Sequence, residues 1–467
     1  IWELFGAASD LQALGPCEQP LAAYCIDTPL NAFWLRPCVQ NFDAVFLDQP
    51  QCVADFAGVA PHVSWLPLPA HTSWFQPPRS KKYDITFIGT TNAHRPKRNN
   101  LLKLLGSHFD LNIHSGLTLE QSQQVFAESK IVLNENFFPG LTLRVLQGLA
   151  AGAAVFTERS PFGHDFGLTD FQDLVFYTPD SLIERMTEVV ENYERYAGLG
   201  AHGQETCREL YGSAPVAAEL LARIPTARRW DGPAHTEEAR WHRITSELLY
   251  VQRFGGDFSR TVKALAEVAH SSSDKAAEAE LLLGDVEARV KKGRDARAHY
   301  RRALELDATN PARLKLALLD IQQNELAAAR EGLLACARET DMAKIPEASL
   351  AGAPTAQGLL TLAGELAFAR GRRWDMGFNK DFPDPVPDTA FELGRLSWEL
   401  APTPGALDLM RRCLPQHMQG ELLPLLLAAL KKGLLPDVQI LETARTAYEY
   451  YDHETAAAIM AALRKTK

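Results

Sequence analysis

The stretch IVLNENFFPGLTLRVLQGLAAGAAVFTE, residues 131–158, restricts what this chain can fold into more than any other. Ile131 to Asn134 is a short apolar run ending on a polar residue, the pattern of a buried strand. A loop with Pro139 and Gly140 follows, and Thr142 stands where a helix N-cap is expected. Leu143, Leu146, Leu149 and Ala150 then recur at helical spacing, with Gly152 as the stop. Ala153 to Phe156 is a second apolar run. Strand, helix, strand in that order is the crossover of a parallel sheet.

The start of that helix is placed for chemistry. Its first N–H groups face out of the carboxyl edge of the sheet, where they attract an anion. Arg144 is expected in the first turn, on a face away from Leu143 and Leu146, with Gln147 one turn further along the same side. A helix N-terminus beside a guanidinium suits a diphosphate. A surface arginine on an ordinary helix gives the same residues, so this stretch alone leaves both readings open.

Asn134, Arg144, Gln147 and Ala151-Gly152 together resemble the donor-nucleotide half of GT-B glycosyltransferases, in particular the spore-maturation-protein (CgeB-like) type. That family usually carries Glu where this chain has Gln147, a carboxylate taken to accept hydrogen bonds from the nucleotide ribose. An amide offers one acceptor oxygen and no charge. The resemblance therefore implies weaker donor binding or a different donor.

At 467 residues the chain has room for two or three domains with their own cores. The net charge of −10 argues against broad nucleic-acid binding, and no run of about 18 apolar residues indicates a membrane span. The seven cysteines (Cys17, Cys25, Cys38, Cys52, Cys207, Cys336 and Cys413) form no CxxC pair and are odd in number. Reduced thiols in a cytoplasmic protein are expected. The chain opens at Ile1 with nothing resembling a signal peptide, as a truncated or processed start would.

Residues 1–75 alternate strand and helix, with strands expected at 21–27, 43–48 and 63–68. Three strands make a small nucleotide-fold half: either amino-terminal strands are missing or this half is reduced. LPLPAHTSWFQP, residues 66–77, resembles the interdomain linker of the same transferases at Leu66, Pro67, Leu68, Ala70, Phe75 and Pro77, while His71 takes the usual Asp position. The second half opens with a strand over 83–89, and Gly89 at its end lets backbone approach a ligand. Arg95, Lys97 and Arg98 then crowd a helix start, which is either a solvated charge run or an anion site. Arg98 matches the family's post-glycine arginine; His94 and Arg95 match it less closely. His114, on a strand expected at 111–116, falls where the base sits in GT-B folds, and His164 and Asp165 are minor candidates on the following loop. An amphipathic helix over 181–197 should stop at Gly198, with further helix to about Ile224.

Residues 225–232 (PTARRWDG) read as a boundary, after which Ala/Leu-rich helices take over. Residues 277–310 match a tetratricopeptide repeat (TPR) at Leu283-Gly284, Ala296, Tyr300 and Ala303, with Glu280 in place of the early aromatic and Ala308 in place of the late proline. Residues 313–337 and 244–269 are weaker copies, and 359–370, 390–400 and 420–463 continue as helices. The loop over 374–388 carries aspartates but three prolines and no calcium-loop spacing, and reads as a connector or binding loop.

The expected architecture is an α/β Rossmann-like GT-B fold with a short amino-terminal half (1–75) and a nucleotide-sugar-binding half (76–225), followed by an all-α TPR-like repeat domain (226–467). The resemblance implies a glycosyltransferase using a nucleotide-sugar donor, with no metal or other cofactor, on a protein or polysaccharide acceptor. The donor would be held by Gly89, Arg95, Arg98, His114, Asn134, Thr142, Arg144 and Gln147. Asp27, at a strand end in IDTP, is the first candidate for the base that deprotonates the acceptor, and His71 the second. The repeats would select the acceptor or hold a protein partner. The rival readings are an inactive relic serving as a repeat scaffold, and a hydrolase or epimerase on the same fold.

Overall fold

The computed structural model describes residues 2–4, 20–92, 95–160, 166–224, 236–257, 259–290, 293–339, 355–374 and 386–465. They gather into two compact units. The first holds the described residues up to 224 together with 444–465, and the second those from 236 to 443. His94, His164, Asp165, the boundary at 225–232 and residues 375–385 of the proline-rich loop lie outside the described residues.

The first unit contains two parallel sheets. The smaller has the order β1 (Trp2–Leu4), β2 (Ala22–Cys25), β3 (Ala44–Leu47), β4 (His62–Trp65). Every pairing in it is parallel. This is one strand more than the three expected; β1 is three residues long, too short for a period to show. The larger sheet has the order β6-β5-β7-β8-β9, where β5 is Tyr83–Ile88, β6 Leu111–His114, β7 Ser129–Asn134, β8 Ala154–Glu158 and β9 Val175–Tyr177. It too is parallel throughout. Its order turns at β5, which has β6 on one side and β7 on the other. Ligands of open α/β sheets bind at such a switch point, outside the carboxyl ends of the strands.

The crossover anticipated over 131–158 is β7, helix α4 (Leu143–Ala150) and β8, in register from Ile131 opposite Ala154 to Asn134 opposite Thr157. Its buried face differs from the expected stripe. Leu146, Leu149 and Ala150 are buried as expected, but Leu143 is 41% exposed and Val145 faces the core in its place. Two other helices flank this sheet before the chain reaches β8, α2 (Pro96–Gly106) and α3 (Leu119–Ala127). Beyond β9, the helix expected to stop at Gly198 breaks earlier, at Asn192, into α5 (Leu182–Glu191) and α6 (Tyr193–Tyr211). Helix α6 continues through Gly198, which has open space around it, while Gly203 serves close packing: a Cβ there would collide with the carbonyl oxygen of Asp173. Helix α7 (Ser213–Arg223) then returns to the first sheet, where Val216 joins Ala22, Ala44, Phe46 and Leu66 in one core. The linker is held along its length, with Ala70 N–H donating to Tyr211 O (2.6 Å) and Ser213 N–H to Ala70 O (3.1 Å).

The sequence reading drew one helical domain over 226–467. By contacts, however, residues 444–465 cluster with the first unit. Tyr451 is 2% exposed and packs in the core of the larger sheet with Val175, Tyr177 and Leu182.

The second unit is helix-rich. It opens with α8 (Glu237–Phe254), α9 (Ser259–Ala269), α10 (Ala276–Arg289), α11 (Gly293–Leu306), α12 (Ala312–Gln322) and α13 (Leu326–Arg338), and further helices follow. Ala296, Tyr300 and Ala303 are fully buried, and the Tyr300 ring lies against Gly284 while its hydroxyl donates to Asp285 Oδ1 (2.6 Å). Glu280, in the position of the early aromatic, is buried and paired with His299 Nδ1 (2.6 Å). The six described cysteines are buried thiols. No helix among the described residues is long and apolar enough to cross a membrane.

Candidate functional site

The carboxyl ends of β5 and β7, neighbours in the larger sheet, bring together four of the anticipated residues. Asn134 is fully buried at the end of β7. Its Oδ1 accepts from Thr142 Oγ1 (3.0 Å) and Arg144 Nη1 (2.8 Å), and its Nδ2 donates to Asn136 Oδ1 (2.7 Å) and Thr157 Oγ1 (2.9 Å). Thr142 occupies the N-cap position of α4 but spends its hydroxyl on Asn134 rather than on the helix. Arg144 Nε donates to the carbonyl of Ile88 (2.8 Å), and the guanidinium lies over the Phe87 ring at 4.6 Å. A Cβ on Gly89 would come within 2.7 Å of Arg144 Nη2.

Among the described residues no carboxylate forms an ion pair with Arg144. Burial pushes its guanidinium down to about 10, with the charge of Arg98 adding to the effect and Glu135 opposing it. A desolvated cation without a directly bonded anion is electrostatically unbalanced, and an anionic ligand at this edge would balance it.

Arg98 is balanced already. Its Nε donates to Glu135 Oε2 (2.9 Å) and its Nη1 to Thr90 O (2.9 Å), and both side chains of the ion pair are buried. The arginine expected to face a diphosphate thus holds the chain after Gly89 against the chain after β7. Lys97 pairs with Glu158 Oε2 at 2.7 Å. Arg95 stacks on Phe137, its guanidinium carbon 3.5 Å from the ring centroid. His114 meets Asn112 Nδ2 through Nε2 (2.7 Å) and the edge of Tyr83. Gln147 is half-buried one turn beyond Arg144.

In the first sheet Asp27 follows β2 in the left-handed backbone region, at φ 51°. It does not cap its own helix α1 (Thr28–Val39). Asp48, 2% exposed at the end of β3, does so instead, accepting from Asp27 N–H (2.8 Å) and Thr28 N–H (3.1 Å). The Asp27 carboxyl is therefore free of a capping duty, and it is raised to about 6, chiefly by burial and then by Asp48, while Arg95 draws it down. The field of Arg95, a residue of the other sheet's side, reaches the same carboxyl. His71 is exposed; its Nδ1 accepts from Ser73 N–H (3.2 Å) and caps the short turn Thr72–Trp74.

Two glutamines tie the halves together beside these groups. Gln49 Nε2 donates to Leu141 O (2.9 Å), and Leu141 N–H donates back to Gln49 Oε1 (3.2 Å). Gln51 Nε2 donates to Pro139 O (2.5 Å). Asp48, Gln49 and Glu135 were not among the anticipated residues, although Asp48 and Glu135 directly follow β3 and β7 and Gln49 comes next after Asp48. Among the described residues no group of three His, Cys, Asp or Glu is arranged to hold a metal.

Residues 76–222 match a family model described as glycosyl transferase-like. No curated protein matches the chain. Solved structures similar to it include Anabaena HepE in complex with UDP-glucose, at 10% identity and a TM-score of 0.37, over 44% of this chain and 72% of that one. Sucrose-phosphate synthase from Thermosynechococcus elongatus is similar at 11% identity and a TM-score of 0.36, over 44% of this chain and 68% of that one. The pneumococcal O-GlcNAc transferase GtfA in complex with UDP and GlcNAc is similar at 8% identity and a TM-score of 0.30, over 44% and 52%. The segment 76–222, which carries the larger sheet with Gly89, Asn134 and Arg144, is the part of the chain that is similar to the glycosyl transferase-like family.

Proposed function

We propose that the protein is a glycosyltransferase of the spore-maturation-protein type, moving a sugar from a nucleotide-sugar donor to a protein or polysaccharide acceptor without a metal ion. The observation that carries this reading is Arg144: a desolvated guanidinium with no carboxylate partner among the described residues, at the carboxyl edge of a parallel sheet, inside the glycosyl transferase-like segment. The leaving group in such a transfer is a nucleoside diphosphate, whose negative charge grows as the glycosidic bond breaks. A fixed cation at that point stabilises the transition state more than the ground state. Arg144 supplies that charge, held in direction by Asn134 and by the Ile88 carbonyl. Arg98 serves it indirectly, keeping Glu135 and Thr90 in place.

Asp27 is the base in this scheme. With a carboxyl near 6 it is mostly ionised at neutral pH yet basic enough to take a proton from an acceptor hydroxyl. His71 is the weaker candidate, since its Nδ1 is engaged at the Thr72–Trp74 turn. The helical unit would recognise the acceptor, for extended helical arrays suit long chains better than small metabolites.

The test is release of nucleoside diphosphate from UDP-, GDP-, ADP- and dTDP-sugars by the full chain in the presence of EDTA. The proposal expects slow hydrolysis of at least one donor, lost in Arg144→Ala. No turnover and no binding of any donor would instead favour the inactive scaffold.

A further inference from the structure

The larger sheet's site is finished by a residue that the chain delivers only at its far end. Helix Asp437–Glu449, which begins in the second unit, leads into a turn at Tyr450 and Tyr451, and helix His453–Lys465 follows. Tyr451 takes the left-handed region at φ 58°, uncommon for a non-glycine residue, and its side chain is buried. The turn is fastened on both sides: Asn100 Nδ2 donates to Tyr450 O (3.1 Å), and Lys103 pairs with Glu454 (2.8 Å).

Once inside, the Tyr451 hydroxyl donates to Glu158 Oε1 (3.1 Å), whose other oxygen is held by Lys97 (2.7 Å). The carbonyl of Glu158 accepts from Asn136 Nδ2 (3.0 Å), Asn136 Oδ1 accepts from Asn134 Nδ2 (2.7 Å), and Asn134 Oδ1 holds Arg144 Nη1 (2.8 Å). Tyr177 closes the floor by donating to Asn134 O (2.7 Å). A series of contacts thus leads from Tyr451 to the Glu158 side chain and, from the backbone carbonyl of the same residue, through Asn136 and Asn134 to the cation at the sheet edge. Buried polar series of this kind fix geometry when every member is satisfied, and lose it when one is removed.

We infer that Tyr451 is a positioning residue for the nucleoside-diphosphate site: its hydroxyl holds Glu158 and, through Asn136 and Asn134, sets the direction of Arg144. The inference rests on the proposed donor site, and it adds that the site is completed by residues encoded some three hundred positions after it. A tyrosine that merely filled the core would work equally well as phenylalanine.

The test compares wild type, Tyr451→Phe and Glu158→Gln as full chains. UDP is the probe for binding, and hydrogen exchange is measured on the unliganded proteins. Tyr451→Phe keeps the ring and should fold. Its UDP affinity is expected to fall about tenfold, the loss for one hydrogen bond to a charged group. Exchange should rise in peptides covering 129–147 and 154–160, and stay unchanged in peptides covering 259–290. Glu158→Gln should produce the same pattern. Unchanged UDP affinity with unchanged exchange over 129–147 would overturn the inference, and so would a rise spread evenly over the whole first unit. If wild type itself binds no UDP, the donor assignment fails for that nucleotide, and the exchange comparison alone decides whether Tyr451 holds Asn134 and Arg144.

Discussion

The guanidinium of Arg144 occupies the space where a side chain at position 89 would begin, with Nη2 2.7 Å from an ideal Cβ on Gly89. The glycine that closes one strand and the arginine in the first turn of the third helix after it are therefore a single feature. Each is explained by the other, and neither by its own element.

Gly89→Ala tests this directly. The atom in the way is the end of a flexible side chain, and Gly89 is not in the left-handed region, so the fold should survive. The added methyl displaces the guanidinium from Asn134. Binding of whichever nucleoside diphosphate the wild type takes should weaken by about 1–2 kcal/mol, the scale of one lost hydrogen bond to a charge, while the thermal midpoint stays close to that of wild type. Calorimetric titration beside thermal unfolding checks both.

Asp27→Asn should separate stability from activity. The folded carboxyl lies near 6, above its ordinary value of 3.8, so the native state binds the proton more tightly than the unfolded chain. Its stabilising contribution is complete below about pH 4 and is lost as pH rises through about 6. Asparagine removes that dependence and tolerates the left-handed backbone at this position. The variant should match or exceed wild type in thermal midpoint at pH 7.5, with the difference vanishing towards pH 4, and it should lose transfer. Wild-type kcat/KM should show an acid limb near pH 6. A wild-type rate independent of pH between 5 and 7 would remove Asp27 from the mechanism.

Gln147→Glu restores the charge that the family resemblance leads one to expect. From one turn beyond Arg144 a carboxylate would accept from ribose hydroxyls, with a gain of about 1 kcal/mol for a charge-assisted bond. UDP should then compete better than dUDP, a preference weaker in wild type. Equal competition in both proteins would mean that residue 147 does not face the sugar.

Arg98 and Glu135 should behave as a structural pair. Removing one partner leaves a buried charge, which costs about 3–5 kcal/mol. Arg98→Ala and Glu135→Ala are each expected to lower the thermal midpoint sharply, and Arg98→Met with Glu135→Leu to recover much of the loss. Singles that unfold like wild type while losing nucleotide affinity would return Arg98 to the phosphate.

Much of this was legible in the sequence because parallel strands buried on both faces read as apolar runs. β5, β7 and β8 were all marked that way, and so were the turn residues between them. The charge partners were not. Nothing in the spacing says that Arg98 would find Glu135, or that Asp48 would take over the cap of α1 and release Asp27. Those are choices made by strand neighbours far apart in sequence. The break at Asn192 and the passage of α6 through Gly198 were hidden because a glycine that stops a helix and one tolerated inside it look the same in one dimension. Tyr451 was beyond reach: no local pattern announces that a residue after the helical unit belongs to the larger sheet's core.

The central claim is that Arg144 is the cation of a nucleoside-diphosphate site, and equilibrium titration measures it most directly. Full-chain wild type and Arg144→Ala would be titrated with UDP, GDP, ADP and dTDP, each beside its parent nucleoside, in EDTA. The account predicts that wild type binds at least one diphosphate, that Arg144→Ala weakens it by about 1.5–3 kcal/mol, and that nucleoside binding is unaffected. A diphosphate bound equally well by both proteins, with the variant folded, would contradict it.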